Sequence, residues 1–173
     1  FSIPNIKRQG KLYRYEADRT SYSSANNSFT VSGVRIIPNF SKELHQKKVG
    51  FQSDYFSGRI DSIQISQPNI RRWFDKEELT GKYAGIFGLN LEIYRDKTQT
   101  FDESRRPKML QDLIKSVKTP IAVDSLVLIR SKVTYIEKAA TGDREGKIHF
   151  TNIHASLSPF TNMKNPGGRF PDL

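Results

Sequence analysis

A chain of 173 residues can hold one domain with a substantial core, or one piece of a larger repetitive one. Hydrophobic residues make up 36%, below the ordinary globular range, but 11% aromatics and many β-branched residues exclude outright disorder, so the composition describes a folded, β-rich, lightly cored chain. Lys and Arg number 28 against 18 Asp and Glu, a net charge of +10 that selects acidic neighbours such as nucleic acid, anionic lipid or lipopolysaccharide, while the lack of cysteine excludes disulfides, thiolate metal sites and a cysteine nucleophile.

In chain order, Leu12-Tyr13-Arg14-Tyr15 is a short aromatic strand candidate, and residues 21–28 are a polar stretch with Ser23-Ser24 and Asn26-Asn27 as turn formers. Residues 29–37 resume as strand; Gly33 allows a bulge and Pro38-Asn39 stops the run. Ser41 caps a short helix over 41–48 that ends near Gly50. Leu44 is its one strongly apolar residue, so the helix is expected at the surface. Residues 49–66 read as a long strand closed by Pro68-Asn69, and 70–79 as a helical turn around Trp73 and Phe74. In residues 83–95 Leu89, Leu91 and Ile93 alternate with Asn90, Glu92 and Tyr94, as in a half-buried strand. Arg95-Asp96 reads as a local ion pair.

Pro107 suits the first turn of a helix, and Met109, Leu110, Leu113, Ile114 and Val117 then recur at helical spacing over 108–118. That helix delivers the chain into residues 123–135, the strongest strand. There Leu126 and Leu128 point one way and Val127 and Ile129 the other. Two apolar faces need two coverings: the helix on one side and the rest of the sheet on the other. Thr141-Gly142-Asp143 turns, and 147–158 return as the antiparallel hairpin partner. The apolar run at 126–129 is far shorter than the ~20 residues of a membrane-spanning helix.

A pattern of apolar, any, small, apolar, any, apolar residues recurs from Val31, Ile60, Ile86, Val123 and Phe150. Its small residues are Gly33, Ser62, Gly88, Ser125 and Asn152. Apolar residues three apart cannot share a face of an unbroken strand, so each site predicts a bulge or kink that curves the sheet.

Val123-Asp124-Ser125-Leu126, Lys132-Val133-Thr134-Tyr135 and the run from Gly146 to Ala155 resemble the AsmA-like cell-envelope proteins, TamB-related members included, especially the Bacteroidetes type. Leu91-Glu92-Ile93-Tyr94-Arg95-Asp96-Lys97 resembles the same group, and the likeness covers roughly residues 50–160. The resemblance implies a periplasmic protein tethered to the inner membrane through a segment absent from this chain, with roles in lipid transport and outer membrane biogenesis. The expected fold class is mainly β with one or two short helices: a curved, twisted, largely antiparallel β-sheet groove with a helix near 108–118 packed on it. Residues 1–160 are expected to form a single β-rich domain or a segment of a larger repetitive β-groove protein, with 161–173 a loop or linker. The opening at Phe1 and the closing Pro166-Gly167-Gly168 fit an excised part of a longer member.

No catalytic motif is present, so a non-enzymatic role without cofactors is expected. His45, His149 and His154 are read as ordinary surface or strand histidines, and Asp61 and Asp124 as turn or bulge residues before serine. The candidate site is an apolar groove lined by Leu89, Leu91, Ile93, Leu126, Leu128, Val133, Tyr135, Ile148, Phe150 and Ile153. It would shield a phospholipid or other acyl lipid, with basic residues toward an anionic membrane surface. The competing reading packs the same residues into a closed core. A nucleic-acid module stacking bases on Tyr13, Tyr15, Phe51, Tyr55, Phe56 and Trp73 is a less favoured alternative, as is a purely structural protein-binding scaffold.

Overall fold

The structure, a computed structural model, describes residues 1–102 and 119–163. The expected helix at 108–118 and most of the expected linker lie outside those residues. Among the described residues nine strand segments and two helices follow in the order β1 (Ser2–Gln9), β2 (Tyr13–Ser23), β3 (Ser28–Pro38), α1 (Lys42–Val49), β4 (Asp54–Ser66), α2 (Ile70–Lys76), β5 (Leu79–Phe87), β6 (Asn90–Asp96), β7 (Ile121–Lys138), β8 (Glu145–Leu157) and β9 (Phe160–Thr161). The chain is mainly β with two short helices and a mixed, largely antiparallel sheet, in line with the expected fold class.

All segments join one sheet. β5 and β6 keep the same register against β4, and the same offset against β7, on both sides of Gly88. They are one strand with a kink. β9 likewise continues the register of β8 along β7. Each strand therefore lies beside its predecessor. The pairing of β7 with β5 and β6 is parallel, and the other pairings are antiparallel.

The helices start where local chemistry dictates. The Ser41 side chain accepts from the Leu44 N–H at 3.3 Å, and Gly50, at φ 79°, closes α1 with its N–H on Gln46 O at 2.8 Å. The expectation of a surface helix needs correction, because α1 buries a polar face. His45 and Gln46 are each 1% exposed while Leu44 is 45% exposed. Burial of Gln46 is tolerated because its amide donates to Ser53 O at 3.0 Å and its oxygen accepts from the Ser53 hydroxyl at 3.4 Å. Asn69 caps α2 by accepting from the Arg72 N–H at 3.0 Å.

Three strand boundaries move from the expected ones. The strand expected over 49–66 begins at Asp54, because Val49 and Gly50 complete α1. The one expected over 83–95 begins at Leu79 and breaks at Gly88, and β2 runs on to Ser23 before the turn. The expected Arg95–Asp96 ion pair is replaced: Arg95 forks onto both oxygens of Asp54 at 2.7 and 2.8 Å, and Asp96 accepts from Thr98 N and Oγ1.

A single row of backbone irregularities crosses the sheet. Asn5, Gly33, Gly88, Arg130 and Asn152 all have positive φ, between 50° and 64°. The registers set Asn5 opposite Asp18, Asp18 opposite Gly33, Gly33 opposite Asp61, Asp61 opposite Gly88, and Gly88 opposite Arg130. Compensating register shifts on β7 and β8 bring Asn152 to the same level. A Cβ at Gly33 would overlap the Asp18 carboxylate, and one at Gly88 the Asp61 carboxylate. Glycine is thus required twice over, for left-handed backbone and for the carboxylate above it. Of the five motif sites, those of Gly33, Gly88 and Asn152 are kinked as expected; β4 carries Asp61 opposite two kinks, and β7 kinks at Arg130 rather than near Ser125.

The core is light. Ile65, Ala84, Val123 and Phe160 form one buried cluster, with Phe29, Leu79, Ile121 and Leu126 packed against it; Tyr55, Tyr94 and Ile136 form another beyond the crease.

Candidate functional site

Since alternate residues of a strand point to opposite sides, the register shows what each side of the sheet carries. Beyond the crease, Tyr15, Ile36, Gly58, Leu91, Val133 and Phe150 follow one another across β2 to β8 as direct cross-strand partners. The next row on that side holds Phe56, Ile93, Tyr135 and Ile148. One residue out of phase, on the opposite side, runs Lys7, Glu16, Arg35, Arg59, Asn90 and Lys132. Beside the crease this half of the sheet is apolar on one side and charged on the other; farther along, the second side carries Tyr55, Tyr94 and Ile136, the buried cluster that α1 covers.

Among the described residues the apolar side is open. Ile148 is 54% exposed, Phe150 53% and Tyr15 46%. Leu89, Leu91, Ile93, Val133, Tyr135 and Ile153 are half-buried. α1 sits on the other side, with Lys42 4.5 Å from the centre of the Tyr94 ring and His45 edge-on to Tyr55 at 5.2 Å. Tyr13, at the end of the sheet, reaches both: its ring lies 5.6 Å from His45 and 6.3 Å from Phe56, and its hydroxyl donates to Asp54 O.

Leu126 and Leu128 lie before the crease. Leu128 falls in the row Ile3, Thr20, Val31, Ile63, Ile86, Leu128, Ala155, and Leu126 in the row Tyr22, Phe29, Ile65, Ala84, Leu126, Leu157. Leu126 packs on the buried cluster. Residues 126–129 are all half-buried, so the strand expected to be buried on both sides is only partly covered on each.

A polar network ends the open face. Beyond Tyr135 come Asp54, Arg95 and Glu137 in register. The Tyr135 hydroxyl donates to Glu137 Oε2 at 2.8 Å, and Lys97 Nζ meets Glu137 Oε1 at 2.8 Å. Lys97 and the Tyr135 hydroxyl hold the Glu137 carboxyl below its usual range, and the hydrogen bond from Arg95 to Asp54 raises the guanidinium. Burial, then the bond to Glu137, pushes the Tyr135 phenol up to about 12. In an absorbance titration, the difference between the native chain and Tyr135→Phe is therefore expected to show a phenol ionising near 12, about two units above a free tyrosine.

The charged side is a lattice of ion pairs around Glu16, which meets Arg14 at 3.0 Å and Arg35 at 3.3 Å; Arg35 also reaches Asp18 at 2.8 Å. Arg59 and Lys132 are exposed. Of the aromatic residues considered for base stacking, Tyr15 and Phe56 lie on the open face with Tyr13 near Phe56, and the others are elsewhere. Tyr55 is buried with its hydroxyl on Phe40 O at 3.2 Å, while Trp73 lies on α2. The His149 ring shares a hydrogen bond with Thr134 Oγ1 at 3.1 Å, and His154 one with Asn152 at 3.2 Å. Among the described residues no cluster of His, Asp and Glu is placed to hold a metal, and no helix is long and apolar enough to cross a membrane.

A second concave feature escaped the sequence reading. Tyr22, Phe29, Ile70, Trp73, Phe74 and Leu79 enclose a pocket of about 230 Å³ between α2 and the end of the sheet, with Phe1, Pro68, Asn69, Glu78 and Thr80 completing its wall. The available signal was Trp73-Phe74 among charged residues, where nothing in a short helix could bury them.

No family model, no curated protein and no solved structure matches the chain.

Proposed function

We infer that this chain is a non-enzymatic segment of a cell-envelope scaffold that handles lipid. The carrying observation is the open apolar face of the creased sheet, with Leu91, Val133 and Phe150 in one cross-strand row and Ile93, Tyr135 and Ile148 in the next. The first of these rows runs from Tyr15 to Phe150 across six strands, which at a spacing of ~4.8 Å makes it about 24 Å long. One leaflet's acyl chains occupy about half of a ~30 Å hydrocarbon core, so an extended chain fits along it. Covering exposed apolar area stabilises by roughly 25 cal/mol per Å², and that gain is available only to an apolar guest. The charged opposite side, with Arg59 and Lys132 exposed, suits an anionic membrane surface. The resemblance to AsmA-like proteins is in keeping with the same reading, and implies a parent protein in the periplasm tethered to the inner membrane.

Native mass spectrometry with lipid extraction tests it. The native chain is expected to retain acyl lipid, and Ile148→Glu combined with Phe150→Glu to lose at least ~90% of it, since each charge opposes burial by several kcal/mol. Lys132→Glu, on the other side, should leave retention unchanged. A native chain that carries no acyl lipid, or a double variant that carries as much as the native chain, overturns the reading.

A further inference from the structure

We propose that the open face takes a free fatty acid, with its carboxylate on Arg8 at the β1 edge and its tail running across the strands toward β8. The inference rests on the acyl-lipid reading of that face and names the guest and its direction. Arg8 is the direct partner of Tyr15, so the apolar row from Tyr15 to Phe150 ends on β1 in a guanidinium. Lys7 and Gln9, one residue out of phase with Arg8, belong to the opposite side.

Among the described residues the exposed side chain of Arg8 makes no ion pair, hydrogen bond or ring contact. The other charges on this face lie past Tyr135 in the polar network, where Arg95 is held by Asp54 and Glu137 by Lys97. Arg8 is therefore the one unpaired charge that the described residues bring to the face. At the far edge β8 presents Ile148 and Phe150 to it, while Lys147 and His149 alternate to the opposite side. A cation at one edge and bare apolar side chains at the other orient an anionic amphiphile: its tail covers the row, and its head meets an opposite charge only at β1. A guanidinium forks onto a carboxylate through two parallel N–H donors, and the half-exposed Tyr15 beside it carries a hydroxyl without a partner among the described residues. A diacyl phospholipid would bring ester oxygens and a larger headgroup to an end whose remaining positions are Ile6, Ala17 and Tyr13, the last with its hydroxyl already on Asp54 O. A fatty acid confines its polar atoms to the one group that Arg8 can pair.

Isothermal titration calorimetry of the native chain is expected to show decanoate binding about 5-fold more tightly than 1-decanol, its neutral analogue, the upper end of an exposed ion pair. Arg8→Gln should bring decanoate down to the level of 1-decanol and leave 1-decanol unchanged, and Arg8→Lys should keep part of the difference. Lys7→Gln, on the opposite side, should alter neither ligand. Equal affinities of the native chain for decanoate and 1-decanol, or a decanoate affinity unchanged in Arg8→Gln, overturns the carboxylate contact and leaves the acyl reading standing; failure of both ligands to bind overturns the two together. Direction is read by amide NMR: 5-doxyl-stearate is expected to broaden resonances of β1 and β2, and 16-doxyl-stearate those of β7 and β8. The reverse pattern, or the same pattern from both probes, overturns the orientation. Didecanoyl phosphatidylglycerol that binds as tightly as decanoate and depends equally on Arg8 overturns the choice of a free fatty acid.

Discussion

Gly88→Ala is expected to lower unfolding stability by on the order of 3 kcal/mol, while Gly142→Ala costs about 1–2 kcal/mol. Both glycines hold left-handed backbone, at φ 64° and 79°. They differ in what a methyl group meets: nothing lies within 4 Å of a Cβ at Gly142, whereas one at Gly88 overlaps the Asp61 carboxylate. The excess cost at Gly88 therefore measures the contact across the crease, free of the backbone term. Asp61→Ala in the Gly88→Ala background should recover most of that excess, a coupling that a double-mutant cycle in urea reads directly. Equal costs at the two glycines, or no coupling to Asp61, would mean that the crease is a set of independent kinks. Gly33→Ala should behave like Gly88→Ala through Asp18, because the same geometry recurs there.

The second expectation is a pH-dependent loss of stability centred on His45. The ring is 1% exposed, lies between Tyr13 and Tyr55, and its Nδ1 has no partner among the described residues. Burial lowers its pKa below the ordinary 6.5, and no charged neighbour opposes the shift. The folded chain thus refuses a proton that the unfolded chain accepts below 6.5. Stability is full above that value and falls as the pH drops toward the folded pKa, by at most about 1.4 kcal/mol per pH unit. Glu43, Asp96 and Glu137 have lowered values, so their contributions are lost only in the more acidic carboxylate range. Urea unfolding between pH 5 and 7 should show the slope in the native chain and lose it in His45→Leu. At pH 7 that variant should match the native chain within ~1 kcal/mol, since removing an orphaned ring nitrogen offsets the lost ring contacts. A slope that persists in the variant would assign the effect elsewhere.

Features governed by neighbours in sequence were legible without coordinates. Ser41 and Gly50 mark α1 because a cap needs only the residues of its own turn. The alternation of Leu89, Leu91 and Ile93, and the hairpin of β7 with β8, follow from period two and a turn. Gly33, Gly88 and Asn152 were marked as kinks because apolar residues three apart demand one.

Distant pairings decided the rest. Arg95 prefers Asp54, 41 residues away, to its neighbour Asp96, because β4 and β6 place the two side chains on one side in a fork geometry. Nothing within α1 shows that it buries His45 and Gln46 rather than Leu44, since the aromatic pair that receives His45 comes from β2 and β4 and Gln46 bonds to Ser53 beyond the helix. The pocket beneath α2 draws Tyr22, Phe29, Trp73 and Glu78 from separate elements. Composition, periodicity and caps are properties of a few adjacent residues, so they yield a lightly cored β chain with kinked strands and short helices. Alignment of the kinks into one crease, and the segregation of apolar from charged rows beyond it, exist only once seven strands share a register, because a slip of one residue on any strand would turn its side chains to the opposite side.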